Sequence, residues 1–479
     1  MRFRDLPGFP PLFVDFVEGA QPARTFFGCP TDAESLRSRA ASSQTRLLPR
    51  RELCDLLLAQ AEQFGSGEAA LANIARLRVP QTVAVAVTLR PELFGGPLCS
   101  WLKALTAARL AAWLDHDGRP AVPVAWIDPR IDPACLSVGL FASGSLQRFN
   151  LDDRSGPTVT VPDQIKDLLG RIALAFDVTA GDSDVLRLLE TAYEPGKDFV
   201  LAWGQLISRF LEPCGIILLD PRQNGLPPIM RSLPPSIDKD KIAALLAKQD
   251  KHLIAAGYGP KKQHVEGNQD VQPLSPLVGP NLVLPVAANV MDASEAYGFA
   301  RNQAIFGELR LPPPVIWPAV SATLLEARDR KVLARYGIGI EKLFMGSSVI
   351  TNNLMKQMSV GEQQARMDGL RAEVEEHLAN LASLVPPADK LRQGIEKSRR
   401  RMVYQIDKLR KRLSDAEMRR REAMVRQISR LCDGLAPWGR LQEREFAAFQ
   451  FVQRHSRALP QRLCKSIDPW KFEHQLILL

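Results

Sequence analysis

Paired cysteines are what this sequence most plainly lacks. Seven cysteines, at 29, 54, 99, 135, 214, 432 and 464, are scattered along the chain, and none forms a CxxC pair. That argues against a disulfide framework or a thiolate zinc site and fits a reducing compartment. Six histidines show no HxxxH or HExxH spacing, so surface or core histidines are expected rather than a metal site. Long apolar runs are missing too. The longest uncharged stretch, near 271–291, is interrupted by Pro273, Pro276, Pro280 and Pro285 and does not suit a membrane span. The opening "MRFRDLPGFP" has no apolar core of a signal peptide, so a cytoplasmic protein is expected.

What is present is ordinary globular material. The 479 residues are 46% hydrophobic and 24% charged, enough for two or three domains with sizeable cores. The net charge of +9 is concentrated in one place: residues 390–430 hold 15 Lys and Arg against 5 Asp and Glu, and the rest of the chain is close to neutral. The basic character therefore belongs to one element.

Residues 1–80 read as mostly helical, with apolar residues at helical spacing in 51–64 and 68–77. "TVAVAVT" (82–88) is a strand apolar on both faces, as in a parallel sheet. The turn "FGGP" and a helix over 102–114 follow, then a second strand, "AVPVAWI" (121–127). This is a strand–helix–strand unit of the length a right-handed crossover needs. A helix over 198–215 feeds the strand "IILLD" (216–220). Further along, 236–258 reads as helix, 259–282 as loop, 281–290 as strand, and 294–309 as a helix capped by Ser294. Residues 313–318 read as strand and 321–337 as one helix. Ile395, Met402, Leu409 and Ala416 then repeat every seven residues, with Ile406 and Leu413 between them, as the seam of a coiled coil.

The segments "LFGGPLCSWLKALTAARLAAWL", "VPVAWI", "GIILLDP", "WPAVSATLLEAR", "LARYGI", "LQEREF" and "DPWKFEHQLILL" occur in that order. As an ordered set they resemble the bacillithiol-biosynthesis cysteine-adding family, BshC. The resemblance covers nearly the whole chain. It implies an α/β fold: a Rossmann-like, doubly wound parallel sheet core with helical inserts and a C-terminal α-helical coiled coil. On that plan residues 1–80 are a helical part of the core, 81–360 the core with inserted segments, 361–440 the coiled coil, and 441–479 a segment returning to the core. The resemblance further implies a homodimer formed through the coiled coil, ligation of cysteine to glucosaminyl-malate, and an ATP or ADP site. Three loops depart from the family pattern. "VTLR" (87–90) stands where members carry a "GGQQ" run, "DPRIDP" (128–133) where they carry an acid–histidine cluster, and "MDASE" (291–295) keeps only the Glu of "GGPGE".

The candidate functional residues gather at strand tips, where open α/β sheets bind ligands. Gly95 and Gly96 let a backbone approach a phosphate, and they equally suit a plain tight turn. Lys103 and Glu295 complete the candidate nucleotide contacts. Asp128, Arg130 and Asp132 are the candidate catalytic set, although two carboxylates and a guanidinium also make a self-paired loop. Trp126 and Asp220 are the candidate substrate contacts. Cys99 has no histidine near it in sequence and reads as a small core residue. Glu326 and Arg328 read as structural or functional alike. The basic helix 390–430 has one aromatic, Tyr404. That favours a dimer coiled coil with basic outer positions over nucleic-acid binding.

Overall fold

The computed structural model describes residues 1–44, 48–151, 160–178, 183–223, 226, 239–259, 276–357, 360–387 and 389–479. Most of the loop read over 259–282, and the start of the helix read from 236, fall outside them. The chain forms two compact units, residues 1–327 with 440–479 and residues 328–439.

In the first unit, helices α1 (Arg50–Phe64) and α2 (Glu68–Leu77) precede strand β1 (Val83–Leu89). Helix α3 (Leu98–His116) then crosses over to β2 (Ala121–Ile127). An antiparallel hairpin, β3 (Ser137–Ala142) and β4 (Ser145–Asn150), is inserted next. Helix α4 (Phe199–Phe210) leads to β5 (Ile217–Leu219), and α5 (Lys239–Ala255) precedes β6 (Val286–Met291). Helix α6 (Ala296–Glu308) and β7 (Val315–Pro318) complete the five-stranded sheet, whose order is β5-β2-β1-β6-β7. All its pairings are parallel.

Alternation along the strands explains the double layer. Val83, Val85, Val87 and Leu89 face one core, with Leu102, Leu105 and Trp101 of α3. Ala84 and Ala86 face a second, with Leu53 and Leu57 of α1 and Ile74 and Leu77 of α2. A strand with both faces buried needs this unbroken apolar run. The chain leaves β1 toward β2 on one side and returns to β6 on the other. The direction of winding therefore reverses between β1 and β6, which opens a crevice beyond their carboxyl ends.

Three local expectations change. Residues 279–283 form a short helix with Pro280 in its first turn, and the strand begins only at Val286, after Pro285. The helix at 294–309 is capped by Asp292, not Ser294: Asp292 accepts from the Ser294 N–H, and Glu295 accepts from the Asp292 N–H at 2.8 Å. The helix read over 321–337 splits into strand β8 (Ala322–Leu325) and helix α7 (Ala327–Tyr336). The partner of β8 is β9 (Gln475–Leu478), from the far end of the chain, so no local pattern announces it.

The second unit is built on an antiparallel pair of long helices, α8 (Val360–Ser383) and α9 (Lys390–Leu435). Arg371–Asp407 at 3.2 Å and Arg410–Asp368 at 3.1 Å tie them together. Val403, Ile406 and Leu413 are half-buried, whereas Met402, Leu409 and Ala416 stand open. Only part of the seven-residue line therefore serves the hairpin seam. After α9 the chain rejoins the first unit, where helix α10 (Leu459–Ser466) packs against α3 and strand β9 pairs with β8.

Candidate active site

The crevice beyond β1 and β6 collects charge of both signs. Lys103, one turn into α3, is 6% exposed and reaches up to the strand tips. Its Nζ donates to the Thr88 carbonyl and to Glu295 Oε1, each at 2.6 Å. From the returning C-terminal segment Arg444 donates to Asp292 Oδ2 at 3.4 Å. Burial alone would raise the Asp292 pKa, but Arg444, the Ser294 hydroxyl and Lys103 pull it down to about 2. Asp292 keeps 20% of its side-chain surface open and Arg444 24%. Both therefore keep some contact with solvent at the mouth of the crevice. The Arg444 Nε is buried with no hydrogen-bond partner among the described residues, and the guanidinium lies over the Phe9 ring.

Glu92 lies on the other wall. It accepts from the Ser100 hydroxyl at 2.8 Å. Burial pushes its carboxyl up to about 7, against the pull of Ser100 and Arg90. Cys99, half-buried beside it, is held as a thiol well above the usual range by burial and by Asp292. Behind the recess Glu443 accepts from the Ser321 hydroxyl at 2.5 Å and the Ala322 N–H at 2.7 Å. Burial pushes Glu443 up to about 7 as well. Ser321 also contacts His474 Nδ1 at 2.7 Å, and Thr323 contacts His474 Nε2 at 2.8 Å. Burial lowers this neutral imidazole to about 3.

The glycine turn is a packed corner. Gly95 and Gly96 have φ of +86° and +78°, and both are buried. A Cβ on Gly96 would lie 2.5 Å from Glu92 Oε2, so the chain's own carboxylate fills the space over this turn. Residues 446–448, of which Phe446 and Ala447 form isolated β-bridges, cover the rest. The Phe446 carbonyl takes the Leu98 N–H, first of α3, at 2.9 Å, and the Ala448 N–H bonds Gly96 at 3.0 Å. A carboxylate in the cradle and an occupied helix N–H do not suit a phosphate group there.

The other candidates sit elsewhere along the sheet edge. At the β2 tip, Asp128 is buried and accepts two bonds from Arg130, at 2.8 and 2.7 Å. Arg90, at the β1 tip, donates to Asp132 at 2.9 Å, and Asp132 also caps the turn at Ala134. The self-paired arrangement is the one adopted. Asp220, at the β5 tip, is held by Arg222, which also binds Asp198. It lies two strands from β1, about 10 Å away. Trp126 is 1% exposed and turns into the core beside α1 and α2. A Cβ on Gly279 would meet its ring at 2.8 Å, so Trp126 packs the core and does not reach the recess. Glu326 pairs with Arg454 and His455.

Two family models match this chain: the BshC N-terminal Rossmann-like domain over residues 5–270, and the BshC C-terminal coiled-coil domain over 322–479. The chain belongs to the BshC family. Full-length relatives agree. A protein of Koribacter versatilis (strain Ellin345) named "Putative cysteine ligase BshC" is 25% identical over 99% of this chain and 98% of its own length. Proteins of the same name from Solibacter usitatus and Salinibacter ruber are each 24% identical, over 100% and 98% of this chain and 99% and 97% of their own lengths. The BshC coiled-coil match runs on through 440–479, although those residues fold with the Rossmann-like unit. Arg444 and Glu443 thus reach the recess from the far end of the sequence. Glu92, Asp292, Glu443 and Arg444 escaped the reading of strand tips. Glu92 lies three residues past the end of β1, and the other BshC segment, "LQEREF", gave no motif with an evident chemistry.

Proposed function

We propose that this chain joins cysteine to glucosaminyl-malate in bacillithiol biosynthesis, forming a carbon–nitrogen bond, in the cytoplasm and as a homodimer. The observation that carries this reading is the mixed-charge recess at the winding reversal, in a full-length relative of BshC cysteine ligases. Cysteine brings an ammonium and a carboxylate. Asp292 and Glu295 suit the first, and the part-exposed Arg444 guanidinium suits the second. An amine attacks only when it is unprotonated, and Glu92, titrating at about 7, is the group to take its proton, while the cysteine carboxyl would lose one oxygen to the phosphate that ATP supplies to activate it. The resemblance also brings ATP or ADP, but the closed glycine turn gives the nucleotide no part at Gly95 and Gly96. The homodimer rests on the open Met402 and Leu409 of α9, about half exposed.

The test is direct. Purified chain is incubated with cysteine, glucosaminyl-malate and ATP, and bacillithiol is read by mass spectrometry, with omission of each component in turn. Product that requires both cysteine and glucosaminyl-malate is expected. Its absence, under conditions where another BshC protein turns over, removes the reading. One observation favours a second reading, a non-catalytic ligand-binding member of the family: Lys103, Arg130 and Arg222 are each already matched by the chain's own carboxylates. That reading expects no product, together with a melting-temperature rise on adding a small ligand such as cysteine.

A further inference from the structure

Strand β8 pairs with β9 along one edge. Its other edge is taken by two side chains from a single helical turn (Gln442–Glu445). Gln442 Oε1 accepts from the Leu324 N–H at 2.8 Å, and Gln442 Nε2 donates to the Leu324 carbonyl at 3.1 Å. Glu443 accepts from the Ala322 N–H at 2.7 Å and from the Ser321 hydroxyl at 2.5 Å. Alternate residues of a strand turn their backbone groups to the same edge, so Gln442 and Glu443 stand where a further strand would pair. Both are buried, at 3% and 2% exposure. A buried amide and carboxyl are costly unless hydrogen-bonded, and here they meet backbone groups that need partners themselves.

The next residue in the turn is Arg444. Unlike its two neighbours it keeps contact with solvent, with 24% of its side chain open. It donates to Asp292 Oδ2 at 3.4 Å, and its guanidinium lies 5.6 Å from the centre of the Phe9 ring. On the far side of Arg444, Glu445 pairs with Arg148 of β4, and the Phe446 carbonyl takes the Leu98 N–H at 2.9 Å. The backbone is therefore fixed both before and after Arg444.

We propose that Gln442 and Glu443 are positioning residues: by clamping the edge of β8 they fix the backbone from which Arg444 presents its guanidinium to the carboxylate of the amino-acid substrate. This rests on the reading of Arg444 as the group that receives the cysteine carboxylate. An arginine side chain has many rotamers, and a planar fork binds a carboxylate well only when it is held in one of them. Anchoring the backbone, with Phe9 and Asp292 anchoring the side chain, completes that ordering before the ligand arrives.

Two measurements on the full chain test this. Phenylglyoxal labelling, mapped by peptide mass spectrometry, reads how firmly Arg444 is held. Q442A loses both Leu324 bonds and should label at Arg444 several-fold faster than wild type, while Arg400 of α9, 77% exposed, labels at the same rate in both. Calorimetric titration then compares cysteine with cysteamine, which lacks the carboxylate. Wild type should prefer cysteine, and Q442A should bind cysteine about 10-fold more weakly with its affinity for cysteamine unchanged. E443Q keeps an acceptor for the Ser321 hydroxyl and should fall between wild type and Q442A; it takes the place of Q442A if circular dichroism shows that variant unfolded. Unchanged labelling of Arg444 overturns the proposal. So does an equal weakening of cysteine and cysteamine, the result of a clamp that serves the fold alone. Wild-type chain that binds neither compound removes the ligase reading instead, and the labelling then decides the clamp by itself.

Discussion

Glu92 is the residue on which the chemistry of the recess turns. Its carboxyl titrates at about 7 because protein surrounds it, and the Ser100 hydroxyl only partly offsets that burial. Glu92→Gln keeps an oxygen to accept from Ser100 but cannot take a proton. Turnover in the bacillithiol assay should fall about 100-fold, the usual worth of a general base, and the rise in rate between pH 6 and 8 should flatten. An unchanged pH profile would move the base elsewhere. Lys103 makes a different kind of claim. Lys103→Met removes the cation that matches Glu295, whose carboxyl burial already raises. Unpairing a buried charge costs several kcal/mol, and Glu295 keeps 23% of its side chain exposed, so a loss of about 2 kcal/mol in urea unfolding is expected. Of these residues, Lys103 was legible as a candidate from the strand–turn–helix order, and Glu295 from its strand-tip place and the "MDASE" segment. Arg444 was not, because its place depends on where the last forty residues return. Gly95 and Gly96 suited a phosphate loop and a plain tight turn equally in the sequence, which could not show Phe446 and Ala448 arriving from the other end of the chain to pack over them.

Elements set by local pattern were readable, and elements set by distant pairing were not. β1 and β2 announce themselves because both faces are buried and every position must be apolar. β8 reads as helix because four residues, "ATLL", carry no period of their own and acquire strand geometry from β9. The α9 helix shows a third case. Its seven-residue line was visible, but the hairpin uses Val403, Ile406 and Leu413 and leaves Met402, Leu409 and Ala416 open. The ion pairs Arg371–Asp407 and Arg410–Asp368 are half-exposed, each worth under about 1 kcal/mol, and do little to fix a partner. The open apolar positions are the better candidates for a second copy. M402E/L409E should convert a dimer to a monomer in sedimentation velocity, with the helical circular dichroism signal retained. Wild-type chain that sediments as a monomer at micromolar concentration would remove the dimer.

At the scale of the whole molecule, the buried ionisable groups decide how stability follows pH. Glu92 and Glu443 hold their protons up to about pH 7, whereas the unfolded chain releases them near 4.5. Between those values the folded state binds more protons, so stability falls as pH rises through the window and stays lower above it. His474 acts in the opposite sense. It stays neutral down to about pH 3 in the fold but takes a proton near 6.5 when unfolded, so stability is lost as pH falls from 6.5 toward 3. Asp292, ionised down to about 2, adds to that acid loss below 3.8. The two carboxyls outweigh the one imidazole between pH 5 and 7, so melting should be higher at pH 5.5 than at pH 8. The +9 net charge pushes the other way, because self-repulsion grows as pH falls. A variant separates the two effects. Glu443→Gln cannot ionise, and although it loses the Ala322 bond, that loss is the same at both pH values. Glu443 is 2% exposed, so its share of the pH 5.5 to 8 difference is of the order of 2 kcal/mol. The gap between the two melting temperatures should shrink in the variant, as measured by scanning calorimetry. A gap that is unchanged would mean that Glu443 is ionised throughout, and that the Ser321–His474 network is built around a charge rather than a neutral acid.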